Sequence, residues 1–353
     1  MGLREKIEGL IHEQKISVGA HIALYPLSLL YGGISSLRAN LYRNGVLKSY
    51  SLGCRVISVG NITVGGTGKT PVTIYLAEYL QRCGKRVVIL SRGYKGTNKG
   101  TAVVTDGEKI LLSPLEAGDE PYLMALRLKG VPVIVGADRV ESGRFAIEKF
   151  SPDFIILDDG FQHIRLKRDF NIVLIDGAQG FGNQFLLPRG ILREPLGGLM
   201  RADMLMVKGS NLQSSAREIV NKYKLPIVGF SYKPERLYER QGHQRPAAFL
   251  KGKKVCAFAG VANPESFFKS IESLGAKILE RISFPDHHAY TEADFSKIKN
   301  LSADADMVLT TEKDIVKLKS LTDLPLYALA IDVDISDRGL FKNLLTPVIK
   351  GAR

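Results

Sequence analysis

RVISVGNITVGGTGKTPVTIYLAEYLQRCGKRVVILSRGY, residues 55–94, reads as strand, glycine-rich turn, helix and strand. The β-branched run 55–61 suits a buried strand, 70–84 has helical spacing closed by Gly84, and 86–94 returns to strand composition. That is a βαβ unit, and the pattern continues on both sides of it. Further strands are expected at 132–136, 154–160, 171–177 and 204–209, each ending near Gly. A second strand-turn-helix unit starts near residue 251, with more strands at 307–318 and 324–335. Alternation of this kind predicts an α/β fold with mainly parallel sheets in two α/β/α lobes, the first of them of the phosphate-loop NTPase type. The expected organisation is an N-terminal segment 1–48, a nucleotide lobe 49–232, a polar connection 233–250 and a smaller lobe 251–353.

The chemical signal in the opening stretch is its turn. From Thr63 and Val64 through Gly65, Gly66, Thr67 and Gly68 to Lys69 and Thr70, glycine amides can face phosphate oxygens. Lys69 can reach the β- and γ-phosphates, and the Thr70 hydroxyl can hold Mg2+ at a helix N-terminus. The commonest form of this loop starts on Gly, where this chain has Thr63. A ligand-free glycine turn is the competing reading, and the strand-to-helix context argues against it.

Three further clusters follow. LDDGFQH, 157–163, ends an apolar strand in Asp158 and Asp159, where phosphate-loop enzymes support magnesium, although an Asp-Gly turn alone gives the same pattern. AGDEP, 117–121, precedes a helical run, and capping through Asp119 is its simplest role. FPDHHAYTEAD, 284–294, sets His287 and His288 after Asp286, an arrangement that orients an imidazole for proton transfer or merely satisfies a loop.

Composition sets the remaining bounds. The 353 residues are 45% hydrophobic and 24% charged, which excludes disordered and collagen-like chains. A net charge of +13 calls for an anionic partner, whether phosphorylated substrate, nucleic acid or membrane. Nucleic acid is disfavoured, because there is no zinc pattern, no aromatic-interleaved basic stripe and no Trp. Cys54, Cys83 and Cys256 are far apart and fit a reducing compartment. Residues 16–37 carry no Asp, Glu, Lys or Arg, whereas Arg4, Lys6 and Lys15 precede them and Arg38, Arg43 and Lys48 follow. Pro26, Gly32 and Gly33 argue against a full span, and no secretory-type cleavage signal is present. An amphipathic or hairpin-like helix in the membrane interface is expected, with a core-packed helix as its rival.

Taken in order, SVGNITVGGTGKTP (58–71), LSRGYKG (90–96), AGDEP, GADR (136–139), LDDGFQH, LPRGILREPL (187–196), FAGVANPESFF (258–268), FPDHHAYT and TTEKDIVKL (310–318) resemble the tetraacyldisaccharide 4'-kinase family, across most of the chain. The resemblance implies transfer of the γ-phosphoryl group of ATP to the 4'-hydroxyl of the lipid substrate tetraacyldisaccharide 1-phosphate, giving lipid IVA in lipid A and lipopolysaccharide biosynthesis. It implies a peripheral or monotopic kinase on the cytoplasmic face of the bacterial inner membrane, held on an anionic membrane surface, with no obligate protein partner. By matching positions, Lys69 and Thr70 serve ATP and Mg2+, and Asp158 and Asp159 stand at the phosphate-binding strand end. Asp119 is the catalytic base with His287 as its partner, and Arg193 and Glu194 lie near phosphates and metal. Arg92, Tyr94, Asp138, Arg139 and Gln162 are candidates for the sugar by motif position. TTEKDIVKL is part of the resemblance, but residue chemistry assigns it no role. A phosphate-loop NTPase switch or transport factor without a sugar acceptor is the alternative.

Overall fold

The computed structural model describes residues 18–209, 211–239, 244–318 and 325–351. After helix α1 (Val18–Arg43) come β1 (Arg55–Asn61), α2 (Lys69–Arg82), β2 (Val87–Ser91), β3 (Ala102–Thr105), α3 (Pro114–Ala117), α4 (Asp119–Arg127), β4 (Val133–Val135), α5 (Arg139–Phe150), β5 (Phe154–Asp158), β6 (Phe170–Asp176) and β7 (Met204–Lys208). The chain continues through α6 (Ser214–Lys222), β8 (Ile227–Glu239), β9 (Gln244–Pro246), β10 (Lys254–Ala259), α7 (Pro264–Ser273), β11 (Lys277–Ser283), α8 (Glu292–Leu301), β12 (Met307–Thr311), α9 (Glu312–Ile315), β13 (Leu326–Ile335) and α10 (Arg338–Lys350).

The two lobes share one 13-stranded sheet of order β11-β10-β12-β13-β8-β7-β6-β1-β5-β2-β4-β3, with β9 off β8. Within each half the strands run parallel, apart from the edge pair β3–β4 and the short β9 on β8. β1, β5 and β6 are buried on both faces, which is why their sequences are continuous apolar runs.

The halves meet at β8 and β13, which pair antiparallel. The first part of β8 pairs with β7, while its later residues pair with β13 running back toward the first half. The second half therefore points the carboxyl ends of β10, β11 and β12 at the carboxyl ends of the nucleotide half. Ligands in open α/β sheets bind at such ends, so the chain encloses one cleft with two functional edges.

Two expectations need correction here. Residues 233–250 are half strand, because Lys233–Glu239 belongs to β8. Pro234 disguised this; the register slips between Ala330 and Ile331, leaving Glu235 as the extra residue of a bulge beside the proline. Residues 338–350 return to the first lobe, where Phe341 packs edge-on against Tyr75 and Tyr79 of α2.

The α1 segment is one continuous helix through Pro26, not a hairpin. Arg4, Lys6, Lys15 and the first residues of the apolar stretch lie outside the described residues. Small residues face the protein: the Ser28 hydroxyl donates to Leu186 O at 2.8 Å, and a Cβ on Gly32 would stand 2.6 Å from Leu186. Large apolar residues face outward, with Leu27, Leu30, Ile34 and Leu37 each 54–63% exposed along one stripe. The helix therefore packs on the protein by one side and leaves an apolar side exposed. Among the described residues no helix is long and apolar enough to cross a membrane.

Candidate active site

The nucleotide edge is built by the turn after β1. Arg193 N donates to Ile62 O and Val64 N to Ile191 O, each at 2.8 Å, so the loop is stitched to the LPRGILREPL segment. Gly68 is left-handed at φ 90°, and a Cβ there would lie 1.9 Å from the Tyr232 hydroxyl, so only glycine fits. It also gives α2 no side-chain cap, which leaves the first-turn amides available to an anion.

Lys69, at the start of α2, is mostly buried and has its ammonium 3.8 Å from Asp159. One Arg193 guanidinium nitrogen donates to both Asp159 oxygens at 2.9 Å. Burial would raise the Asp159 carboxyl, but Lys69 and Arg193 outweigh it and hold the group below the ordinary carboxylate value. Its neighbour behaves oppositely. Asp158 is fully enclosed, accepts from Ser91 Oγ at 3.0 Å and Thr73 Oγ1 at 3.3 Å, and is pushed up to about 7 by burial, then by the charges of Glu120 and Asp159.

Glu194 is buried, with Oε1 taken by Gln162 at 2.9 Å and Oε2 by Arg201 at 2.6 Å. Helix α1 touches the same segment, since the Tyr31 hydroxyl donates to Arg193 O at 2.6 Å. Of the expected magnesium donors Thr70, Asp159 and Glu194, all hard oxygens, Asp159 has both oxygens on Arg193 and Glu194 has its two on Gln162 and Arg201. Among the described residues no three His, Cys, Asp or Glu side chains form a cage.

The opposite edge brings two lobes to one carboxylate. Asp119 is the first residue of α4, whose cap is Gly118, and the Asp119 side chain makes no cap. The capping expectation therefore fails. Asp119 Oδ2 instead meets His287 Nδ1 at 3.0 Å and Lys317 Nζ at 3.2 Å. Burial alone would raise this carboxyl; the His287 hydrogen bond and the Lys317 charge prevail and lower it. His288 serves its own loop, bonded to Asp294 at 3.0 Å and stacked on Phe284. Tyr94 lies edge-on to His287 with ring centres 6.0 Å apart.

Three other sugar candidates are engaged with the protein itself. Asp138 caps α5 and pairs with Arg165, Arg139 is buried against Gly136 O, and Gln162 holds Asn61 O and Glu194.

Sequence reading quoted TTEKDIVKL but gave it no role. Lys313 Nζ stands 3.0 Å from His287 Nε2 and 3.2 Å from Asp286. Glu312 receives Arg127, at the far end of α4, at 2.7 and 2.8 Å, and Arg127 also meets Asp332 on β13. The usable signal was the spacing of Lys313 and Lys317, four apart after a strand end, which sets both on one side of a helical turn.

The Arg127–Glu312 bridge is enclosed on both sides. Arg127→Ala is expected to cost about 3–5 kcal/mol of folding stability, because Glu312 stays behind as an uncompensated charge. Urea unfolding measures it. A loss under about 1 kcal/mol would place the pair with surface bridges.

Comparison with known proteins accords with this arrangement. Residues 20–350 match the family described as tetraacyldisaccharide-1-P 4'-kinase. A tetraacyldisaccharide 4'-kinase of Syntrophus aciditrophicus is 42% identical over 93% of both chains, and one of Desulfatibacillum aliphaticivorans is 42% identical over 97% of both. The crystal structure of an Aquifex aeolicus LpxK in complex with ATP superposes with a TM-score of 0.79 at 37% identity, covering 93% of this chain and 99% of that one. Likeness over nearly the whole length, in a fold that turns two sheet edges onto one cleft, places the chain in the tetraacyldisaccharide-1-phosphate 4'-kinase family.

Proposed function

We propose that the cleft transfers the γ-phosphoryl group of ATP to the 4'-hydroxyl of tetraacyldisaccharide 1-phosphate, the nucleotide lobe supplying the phosphate site and the second lobe completing the base. The observation that carries this is the His287–Asp119 contact, made between lobes. A sugar hydroxyl is a poor nucleophile at neutral pH, so a positioned carboxylate that takes its proton is what the reaction requires. His287 and Lys317 both bind Oδ2, which leaves Oδ1 of Asp119 for the hydroxyl. The phosphate loop and Lys69 hold the triphosphate, and Arg193 orients Asp159. Thr70, Asp159 and Glu194 would hold Mg2+, which supplies charge neutralisation on the transferring phosphate. Asp158, near neutral titration, anchors the strand end through Ser91 and Thr73.

The test is label transfer from γ-labelled ATP to the lipid disaccharide monophosphate. Label found only as free phosphate would support the NTPase switch instead, a reading that leaves the second-lobe histidine without a task.

The acceptor's acyl chains keep it in a bilayer, each methylene contributing about 0.8 kcal/mol, so the enzyme must work at the membrane surface. The exposed stripe of α1 suits insertion at the acyl boundary, and the basic residues on either side of it suit anionic head groups. Because Tyr31 and Ser28 of that helix hold the Arg193 segment, docking would set the cleft at the interface, on the cytoplasmic face of the inner membrane where ATP is available. Leu30→Glu with Ile34→Glu is expected to reduce partition into anionic liposomes by about tenfold or more, from the burial of two aliphatic side chains. ATP affinity should be unchanged, and deletion of residues 1–37 should follow the same order. Equal loss of both affinities would show that the helix serves the nucleotide lobe.

A further inference from the structure

We infer that Lys313 and Lys317 are positioning residues for the Asp119–His287 pair, Lys313 fixing the tautomer of the imidazole and Lys317 holding the carboxylate ionised and oriented. This rests on the roles proposed above for that pair. An ammonium donates and cannot accept. With Lys313 Nζ at 3.0 Å, His287 Nε2 must present its lone pair, so the ring proton sits on Nδ1 and is donated to Asp119 Oδ2. Protonating the ring would set an Nε2–H against the ammonium. Lys313 is held in place by Asp286 at 3.2 Å and Glu120 at 3.8 Å. His287 is itself pinned, with φ of 60° and its amide donating to Gly260 O at 3.2 Å.

Lys317 completes the arrangement from the other side. Its ammonium bridges Asp119 at 3.2 Å and Asp314 at 3.3 Å. Asp314 is fully buried and fixed by the Gly260 amide at 2.9 Å and the Thr311 hydroxyl at 2.7 Å. Carboxylate position is thereby referred to the carboxyl ends of β10 and β12. The Arg127–Glu312 bridge grips the other end of α4 from the same short helix. The charged and titratable groups facing Asp119 are Glu120 on its own helix, Asp286, His287 and Tyr290 from the β11–α8 loop, and Lys313, Asp314 and Lys317 from the α9 segment. The cations of this set are the lysines, so each lysine has a distinct measurable effect.

The full-length enzyme is assayed on lipid substrate in mixed micelles, with kcat/KM followed against pH and the imidazole nitrogens followed by 15N NMR. Lys317→Met is expected to lower kcat by about tenfold to a hundredfold through misplacement of the base. It should also move the acid limb of kcat/KM upward by about one pH unit or more, because a cation beside the carboxylate is gone. Lys317→Arg should restore the limb, and KM for ATP should stay at its wild-type value. In the wild type, His287 should show a protonated Nδ1 and an unprotonated Nε2, and Lys313→Met should mix the two tautomers. An acid limb that coincides in Lys317→Met and wild type, or a wild-type ring protonated on Nε2, overturns the inference; the second readout needs no variant to fold. Asp119→Asn separates the two failures. If that variant stays active, the base assignment itself is wrong; if it is inactive while the limb has not moved, only the lysine roles are.

Discussion

Lys69→Met is expected to reduce phosphoryl transfer by about a thousandfold, the upper range for removing one donor aimed at developing charge in an enclosed site. The side chain is 14% exposed at the head of α2, with uncapped amides around it and no slack in the loop, whose Gly68 already touches Tyr232. The neighbouring Arg193 does not duplicate it, being committed to both oxygens of Asp159. Methionine preserves the volume and removes the charge, so folding should survive while triphosphate binding weakens. Calorimetry with ATP and Mg2+ reads the binding loss, and label transfer to the lipid disaccharide reads the catalytic one. Activity within about tenfold of wild type would mean that the loop does not hold the transferred phosphate, since one exposed cation is worth no more than that.

What could be read in advance follows from where the chemistry is local. The phosphate loop was legible because its requirements, positive φ at Gly68 and an ammonium one residue on, are written in consecutive residues. The parallel sheet was legible because β1, β5 and β6 are buried on both faces and need unbroken apolar runs. The polar strand β8 was not, since its later half is only partly buried and contains Pro234 at a bulge, so neither alternation nor composition marked it. Asp119 looked like a cap because its partners are 168 and 198 residues away, beyond any pattern within a helix. The same holds for Lys313 and Lys317. They act only once the antiparallel β8–β13 seam turns one sheet edge to face the other, and that reversal leaves no mark on their own segment.

Asp119→Asn should lower kcat by about 10²–10⁴, the usual weight of a positioned general base, while ATP uptake continues. Asparagine keeps an oxygen for the His287 N–H and matches the shape of the carboxylate, so the loss isolates the proton acceptor. The base proposed here has a depressed pKa, which is compatible with the transition state. Phosphoryl transfer is loose, the hydroxyl is little bonded to phosphorus when the barrier is crossed, and its proton is needed late. Position and a permanent negative charge then matter more than basicity, and both are supplied by the His287 and Lys317 contacts. The sign of the pH dependence is fixed by the same shift. Asp119 is ionised throughout the neutral range, and activity falls only as pH drops through its lowered folded value. The stabilisation from pairing is likewise complete above the unfolded carboxyl value of about 3.9 and is lost as pH falls through the folded one. If Asp119→Asn instead retains an acid limb in its kcat/KM profile, then the proton is taken by His287 and Asp119 serves as its orienting partner.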